Sequence, residues 1–198
     1  MADKDTDQGK RRFLVAATSI AGGAAAGAAG LYPFAASMLP SERAKAAGAP
    51  VEVDVGGLAP GEMRTVEWRG KPVWIVRRTP EMLESIRRND ANVADPQSRK
   101  PMQPPYARNE FRSIKPDFLV VVGICTHLGC SPVDKFRPGP ELFDANWQGG
   151  FYCPCHGSLF DLAGRVYRNK PAPDNLEVPP YKFLSDTRIL IGEDSKGA

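Results

Sequence analysis

The chain has 198 residues, of which 42% are hydrophobic and 25% charged, and a formal net charge of +3. That length holds one apolar segment and one compact domain. Residues 40–198 carry 22 basic and 20 acidic side chains, an even balance that reads as a solvated surface and argues against nucleic acid as a partner.

Lys10-Arg11-Arg12 is followed at once by an uncharged run from Phe13 to Leu39, rich in alanine and glycine. As a helix, Phe13 to Tyr32 spans about 30 Å, the thickness of a bilayer's hydrocarbon core. Arg11-Arg12-Phe13-Leu14 resembles a twin-arginine export signal. Cations ahead of the run keep residues 1–12 in the cytoplasm and send the domain beyond the run across the membrane, where a disulfide can persist. Residues 13–39 therefore read as a transmembrane anchor; a signal cleaved near Ala44-Lys45-Ala46 is the competing reading. Gly23 and Gly27 give a small-residue face open to another helix, or simply low-complexity composition. Residues 40–50 lack a periodic apolar face and read as a linker, reaching at most about 36–40 Å when stretched.

The rest reads as mainly β, an antiparallel domain over 51–192 followed by a short tail at 193–198. Val51 to Val55 alternates strictly, and Met63 to Trp68 pairs with Val73 to Arg77 across Arg69-Gly70-Lys71-Pro72. Thr79-Pro80-Glu81 supplies an N-cap, a first-turn proline and an early acid, opening a helix through about Arg88. Asn89 to Pro116 is polar and proline-rich, a surface excursion with little regular structure. Phe118 to Ile124 is a buried strand that delivers the chain to Cys125, and Tyr181 to Leu184 with Arg188 to Ile191 closes the domain as a hairpin.

All four cysteines and both histidines fall in two hexapeptides, Cys125-Thr126-His127-Leu128-Gly129-Cys130 and Cys153-Pro154-Cys155-His156-Gly157-Ser158. Six soft or borderline ligands confined to two loops point to a shared metal site. In one assignment each loop gives one thiolate and one imidazole, Cys125 with His127 and Cys153 with His156. In another, four cysteines bind zinc or an all-thiolate [2Fe–2S] cluster and the histidines are bystanders. The repeated order of cysteine then histidine favours the first. Residue type alone leaves mononuclear Cys₂His₂ zinc open, although the two histidines are not spaced as in a zinc finger.

Both boxes resemble those of Rieske iron–sulfur proteins, and the extra cysteine pair makes them similar to the Rieske subunit of cytochrome bc₁ complexes. The resemblance implies one [2Fe–2S] cluster, with Cys125 and Cys153 on the inner iron and His127 and His156 on the outer one. It implies a disulfide between Cys130 and Cys155, a hydrogen bond from Ser158 to the cluster, and a cover from the loop Lys170-Pro171-Ala172-Pro173. The cluster-binding part, about 125–173, is then an insertion in the β domain. A retained anchor and a hinge at 40–50 are further implications. So is an electron-transfer role in a dimeric quinol–cytochrome c reductase of the bacterial inner membrane, single-pass, with the cluster domain in the periplasm.

In such a complex ubiquinol is oxidised together with cytochrome b and one electron passes to cytochrome c₁, with proton release into the periplasm. By resemblance His156, and after it His127, meets the quinol, and Leu128 at the loop tip joins the docking surface. Two departures stand out: Phe160 replaces a tyrosine of mitochondrial-type members, and Ser131 to Gly150 is long, as in proteobacterial ones. Oxygenase Rieske domains lack the extra cysteine pair; a carrier of the arsenite-oxidase type and a zinc-stabilised module compete with the reductase role. The charges explain the use of this ligand set. Two ferric ions, two sulfides and two thiolates sum to zero, whereas four thiolates leave −2, so the mixed site accepts an electron more readily. Rieske potentials accordingly run from roughly −150 to +300 mV, against about −400 mV for plant-type ferredoxins.

Overall fold

The computed structural model describes residues 7–194 and divides into two units, 1–46 and 47–198. Residues 1–6 of the N-terminal segment and 195–198 of the tail lie outside the described residues. In the first unit, helix α1 runs Gln8–Ser37 and takes in Lys10-Arg11-Arg12 ahead of the uncharged run. The Asp7 carboxylate caps it, accepting from the backbone N–H groups of Gly9 (3.0 Å) and Lys10 (3.2 Å). No residue of α1 is buried, and its most apolar stretch has a mean hydropathy of 1.5, so by length and composition it can cross a membrane.

The linker holds more structure than its composition suggests. A six-residue helix, α2 (Glu42–Ala47), occupies most of it. Ser41 Oγ accepts from Ala44 N at 3.2 Å and Lys45 meets Glu42 at 2.7 Å, so local capping and a three-residue ion pair suffice where no apolar face exists.

The second unit is built from three antiparallel three-stranded sheets. The outer one orders β1 (Val51–Asp54), β9 (Arg188–Ile191) and β8 (Tyr181–Ser185); the next orders β2 (Met63–Trp68), β3 (Lys71–Arg77) and β4 (Phe118–Val122). The third, β5 (Val133–Lys135), β6 (Gly150–Cys153) and β7 (Ser158–Asp161), lies between β4 and β8 in sequence and is the inserted part expected. Strands β2 and β3 meet at a two-residue turn in which Arg69 and Gly70 both have positive φ, as a tight hairpin requires. Helix α3 (Pro80–Arg88) starts at Thr79, whose hydroxyl accepts from Met82 N.

Strand β4 is buried throughout, and its continuation Gly123 is where the two central sheets lock together. Gly123 N donates to Pro72 O at 2.8 Å, and a Cβ at 123 would overlap the Trp74 indole. That indole stacks on Phe151 of β6 with centroids 4.9 Å apart. The glycine thus admits the ring that joins the scaffold sheet to the insertion.

Residues 89–116 are irregular, as expected, but they are not superficial. Val93, Ser98, Gln103, Ala107, Arg112 and Ser113 are all buried. Arg112, with a φ of 51°, donates to the carbonyls of Ala163, Gly164, Met102 and Leu176 and to Gln103 Oε1, at 2.7–3.3 Å. A fully buried guanidinium replaces the sheet or helix that would otherwise satisfy these carbonyls.

The segment also sends Tyr106 against Tyr181. The Tyr106 hydroxyl accepts from Tyr181 N (2.8 Å), and the Tyr181 hydroxyl accepts from Ile114 N (2.9 Å). Burial pushes the Tyr106 phenol up to about 12 and the Tyr181 phenol further still.

This packing has two measurable consequences. Replacing Gly123 with alanine should cost about 1–3 kcal/mol in urea unfolding, because an aromatic ring rather than a flexible chain end must move. The phenols give an alkaline signature: unfolded tyrosines ionise near pH 10, while the folded ones hold their protons to about 12 and beyond. Above pH 10 the unfolded chain therefore binds fewer protons, and stability present below pH 10 is lost as pH rises through about 12. Urea midpoints measured across that window should fall; a flat profile would contradict the buried pair.

Candidate metal centre

Both cysteine–histidine boxes are turns set on the ends of strands. The first leaves β4 through Gly123 and Ile124; the second is the connection between β6 and β7, whose last and first residues, Cys153 and Ser158, are cross-strand partners. Each turn closes the same way. Gly129 N donates to Cys125 O (3.1 Å) and Gly157 N donates to Cys153 O (2.9 Å), with φ of 83° and 76° at the two glycines. Such a left-handed closure suits glycine. Cys125 N also donates to Cys130 O at 2.7 Å, which ties the ends of the first box together.

The closures sort the donors by depth. Cys125 and Cys153 are free and buried, His127 is half-buried, and His156 is exposed. The two imidazoles meet edge to face, with centroids 4.7 Å apart and planes at 89°. His127 Nδ1 is buried without a hydrogen-bond partner among the described residues, an arrangement disfavoured unless something occupies it. Cys130 and Cys155 form a disulfide with their Cα atoms 6.7 Å apart. The Cys130, Cys153 and Cys155 sulfurs cluster within 4.8 Å, but two of them are bonded to each other and cannot serve as thiolates. That removes the four-cysteine zinc or cluster assignment.

Burial pushes the Cys153 thiol up and the adjacent Cys125 adds to this, while the N–H groups of Cys155 and His156 pull it back. Two buried thiols side by side, two imidazoles above them and a spare buried ring nitrogen fit a binuclear centre with unlike ends.

The loop after β7 covers the boxes in a way the sequence did not indicate. Pro171 and Pro173 are exposed, and it is Ala172 between them that turns inward, its N–H donating to Ser158 Oγ at 3.0 Å. Thr126 Oγ1 donates to Asp174 O (2.7 Å), and Lys100 reaches Pro173 O (2.8 Å) and Asp174 Oδ1 (2.6 Å). Thr126, Ala172 and Lys100 are thus parts of the site with no role assigned from the motifs; Thr126, inside a box, and Ala172, inside the proline loop, lie in stretches with a sequence signal, whereas Lys100 has none. The turn between β7 and this loop is locked by Asp161. Its carboxylate accepts from Ala163 N (2.9 Å), Arg165 N (2.8 Å) and Arg165 Nε (2.8 Å). Burial would lower the Arg165 guanidinium, but Asp161 and Asp90 outweigh it and hold it above its usual value.

Phe160 is wholly buried in β7, cross-strand from Phe151, and brings no hydroxyl to its surroundings. Leu128 is 71% exposed at the tip of the first box.

The Rieske [2Fe-2S] domain family matches residues 49–182, which spans every donor just described. The chain belongs to the Rieske iron–sulfur family. Within it, the chain is 56% identical over 198 residues to the ubiquinol-cytochrome c reductase iron-sulfur subunit of Allochromatium vinosum, covering all of this chain and 95% of that one. The corresponding subunit of Bradyrhizobium diazoefficiens is 46% identical over 184 residues, 92% of this chain and 94% of that one. Among solved structures, a chain of a hyperthermophilic respiratory Complex III is 30% identical, over 88% of this chain and 98% of that chain, with a TM-score of 0.47. The cofactor of this Rieske chain is a [2Fe–2S] cluster.

The disulfide cross-links the two boxes. It closes a loop of 25 residues, for which chain entropy gives about 3.5 kcal/mol of stabilisation. A Cys130→Ser, Cys155→Ser double variant should lose about that much in thermal or urea unfolding, with the loss spread over the insertion as read by hydrogen exchange.

Proposed function

We propose that Cys125 and Cys153 hold one iron of the cluster and His127 and His156 the other. This assignment serves electron transfer in a ubiquinol–cytochrome c reductase, from ubiquinol at cytochrome b to cytochrome c₁. The observation that carries it is the sorting of donors: two buried free thiols, two imidazoles 4.7 Å apart of which one is half-buried and one exposed, and an orphaned His127 Nδ1, in loops joined by a disulfide. A Rieske centre uses that donor set, with two histidines in place of two cysteines on one iron. The bound cluster supplies a one-electron site; the protein does the rest.

His156, exposed at the end of the second box, is the imidazole that can reach a quinol hydroxyl, accept a hydrogen bond and take the proton. His127, more deeply set, plays the same part less directly. Leu128 offers an apolar contact at the docking surface. Cys125 and Cys153 sit out of water, while Ser158, buried with its oxygen facing the Ala172 N–H, retains a hydroxyl proton to donate toward the centre. Pro171 and Pro173, exposed, stiffen the cover from outside rather than lining it.

Around this domain, residues 13–39 anchor the chain in the inner membrane with residues 1–12 in the cytoplasm. Residues 40–50 tether the domain, 51–192, in the periplasm, where it meets cytochrome b and cytochrome c₁ in turn within a dimeric complex. Cations ahead of the uncharged run of α1 and a disulfide in the domain beyond it support that orientation.

The test is spectroscopic. The dithionite-reduced chain should give an electron paramagnetic resonance signal with two irons and two sulfides per molecule, and replacing Cys125, His127, Cys153 or His156 individually should abolish it. Full iron, sulfide and signal in a His127→Ala chain would overturn the ligand assignment.

A further inference from the structure

Lys100 belongs to the irregular segment before β4, yet its ammonium ends on the loop that covers the boxes. It donates to Pro173 O at 2.8 Å and to Asp174 Oδ1 at 2.6 Å. The backbone presenting it is pinned. The Asp95 carboxylate accepts from Arg99 N (2.9 Å) and Lys100 N (3.1 Å), and the Gln103 amide donates to the carbonyls of Ser98 (2.8 Å) and Lys100 (2.7 Å). A buried Ser98 with a φ of 49° completes this fixed turn. A lysine on a free loop would sweep a wide volume; this one is aimed.

The cover is thereby held at both margins. On its inner side two neutral hydrogen bonds tie it to the boxes, Thr126 Oγ1 to Asp174 O and Ala172 N to Ser158 Oγ. On its outer side the charged contact is Lys100, and Asp174 is gripped from both directions. Seating the loop on Thr126 and Ser158 therefore includes making one ion pair between side chains 53% and 30% exposed. A pair so exposed is modest in strength and open to counter-ions.

We propose that Lys100 is a positioning residue that latches the loop at 171–174 over the cluster site, making closure of that loop dependent on charge and salt. The proposal rests on the ligand reading only for the identity of the group beneath the loop.

Its test uses the full chain with its cluster, in detergent. Because residues 171 and 173 are prolines, the amides of the loop are those of Ala172 and Asp174 alone, so a peptide spanning it reports closure directly. In hydrogen exchange followed by mass spectrometry, Lys100→Met and Asp174→Asn should each speed exchange in that peptide about fivefold, the upper range for an exposed pair. Lys100→Arg should restore slow exchange. Raising salt should speed the unsubstituted chain toward the Lys100→Met rate, and peptides from β4 should not change in any of them. Unchanged exchange in both Lys100→Met and Asp174→Asn overturns the latch, as does acceleration that Lys100→Arg fails to reverse. Failure of the ligand reading would look different: the cluster signal would survive loss of His127, with no bearing on the loop peptide.

Discussion

Two thiols on loops far apart in sequence must face each other at a fixed separation out of water, and the rest of the domain serves that requirement. The cysteine carbonyls are both consumed by glycine N–H groups, which fixes each sulfur relative to its own turn. The disulfide then fixes one turn relative to the other. Behind them, β4 and β6 come from different sheets and are held in step by the Trp74–Phe151 stack, for which Gly123 makes room. Any displacement at these joints would reach the donors directly, since only two residues separate β4 from Cys125 and none separates β6 from Cys153.

The irregular half of the domain is organised by buried arginine. Arg78 donates to Pro116 O, Phe111 O, Leu162 O and the Ser113 hydroxyl, Arg112 to four carbonyls and an amide, and Arg165 to Asp161, Asp90 and Ile86 O. Without a carboxylate at contact, burial draws Arg78 and Arg112 down to about 10, still cationic at neutral pH. Five donors in a planar fork can gather carbonyls from three separate segments, which no ladder of strands could do over such short pieces. The cost is desolvation of a cation; in exchange, residues 89–116 bury Val93, Gln103 and Ala107 in the domain without a strand or a long helix of their own.

The division between legible and illegible parts of the sequence tracks the range of the interactions. Strands with alternation or all-apolar runs, the Thr79 cap and the two boxes depend on neighbours within a few positions, and those stand at the expected places. The pairing of Cys130 with Cys155 came through resemblance and agrees with the structure. Residues 89–116 look like surface because their order is supplied by Arg78, Arg112 and Arg165, most of whose partners lie tens of residues away and have no local signature. In the loop at 170–173 the prolines carry the sequence signal, whereas the inward contact belongs to Ala172, the plain residue between them. Helix α2 escaped notice because composition marks a linker while a serine cap and one ion pair create a turn or two of helix.

Helix α1 carries a further consequence in where its proline stands. From Phe13 to Pro33 the rise is about 30 Å, so a helix entering hydrocarbon at Phe13 reaches the opposite headgroups close to Pro33. A proline ring there withholds a hydrogen bond from the Ala29 carbonyl at the depth where water and lipid phosphates begin to be available to it. Beyond it Phe34, Met38 and Leu39 remain apolar and exposed, surplus length for a bilayer of that thickness. Surplus of this kind is absorbed by tilting, or by laying the final turn along the headgroup plane.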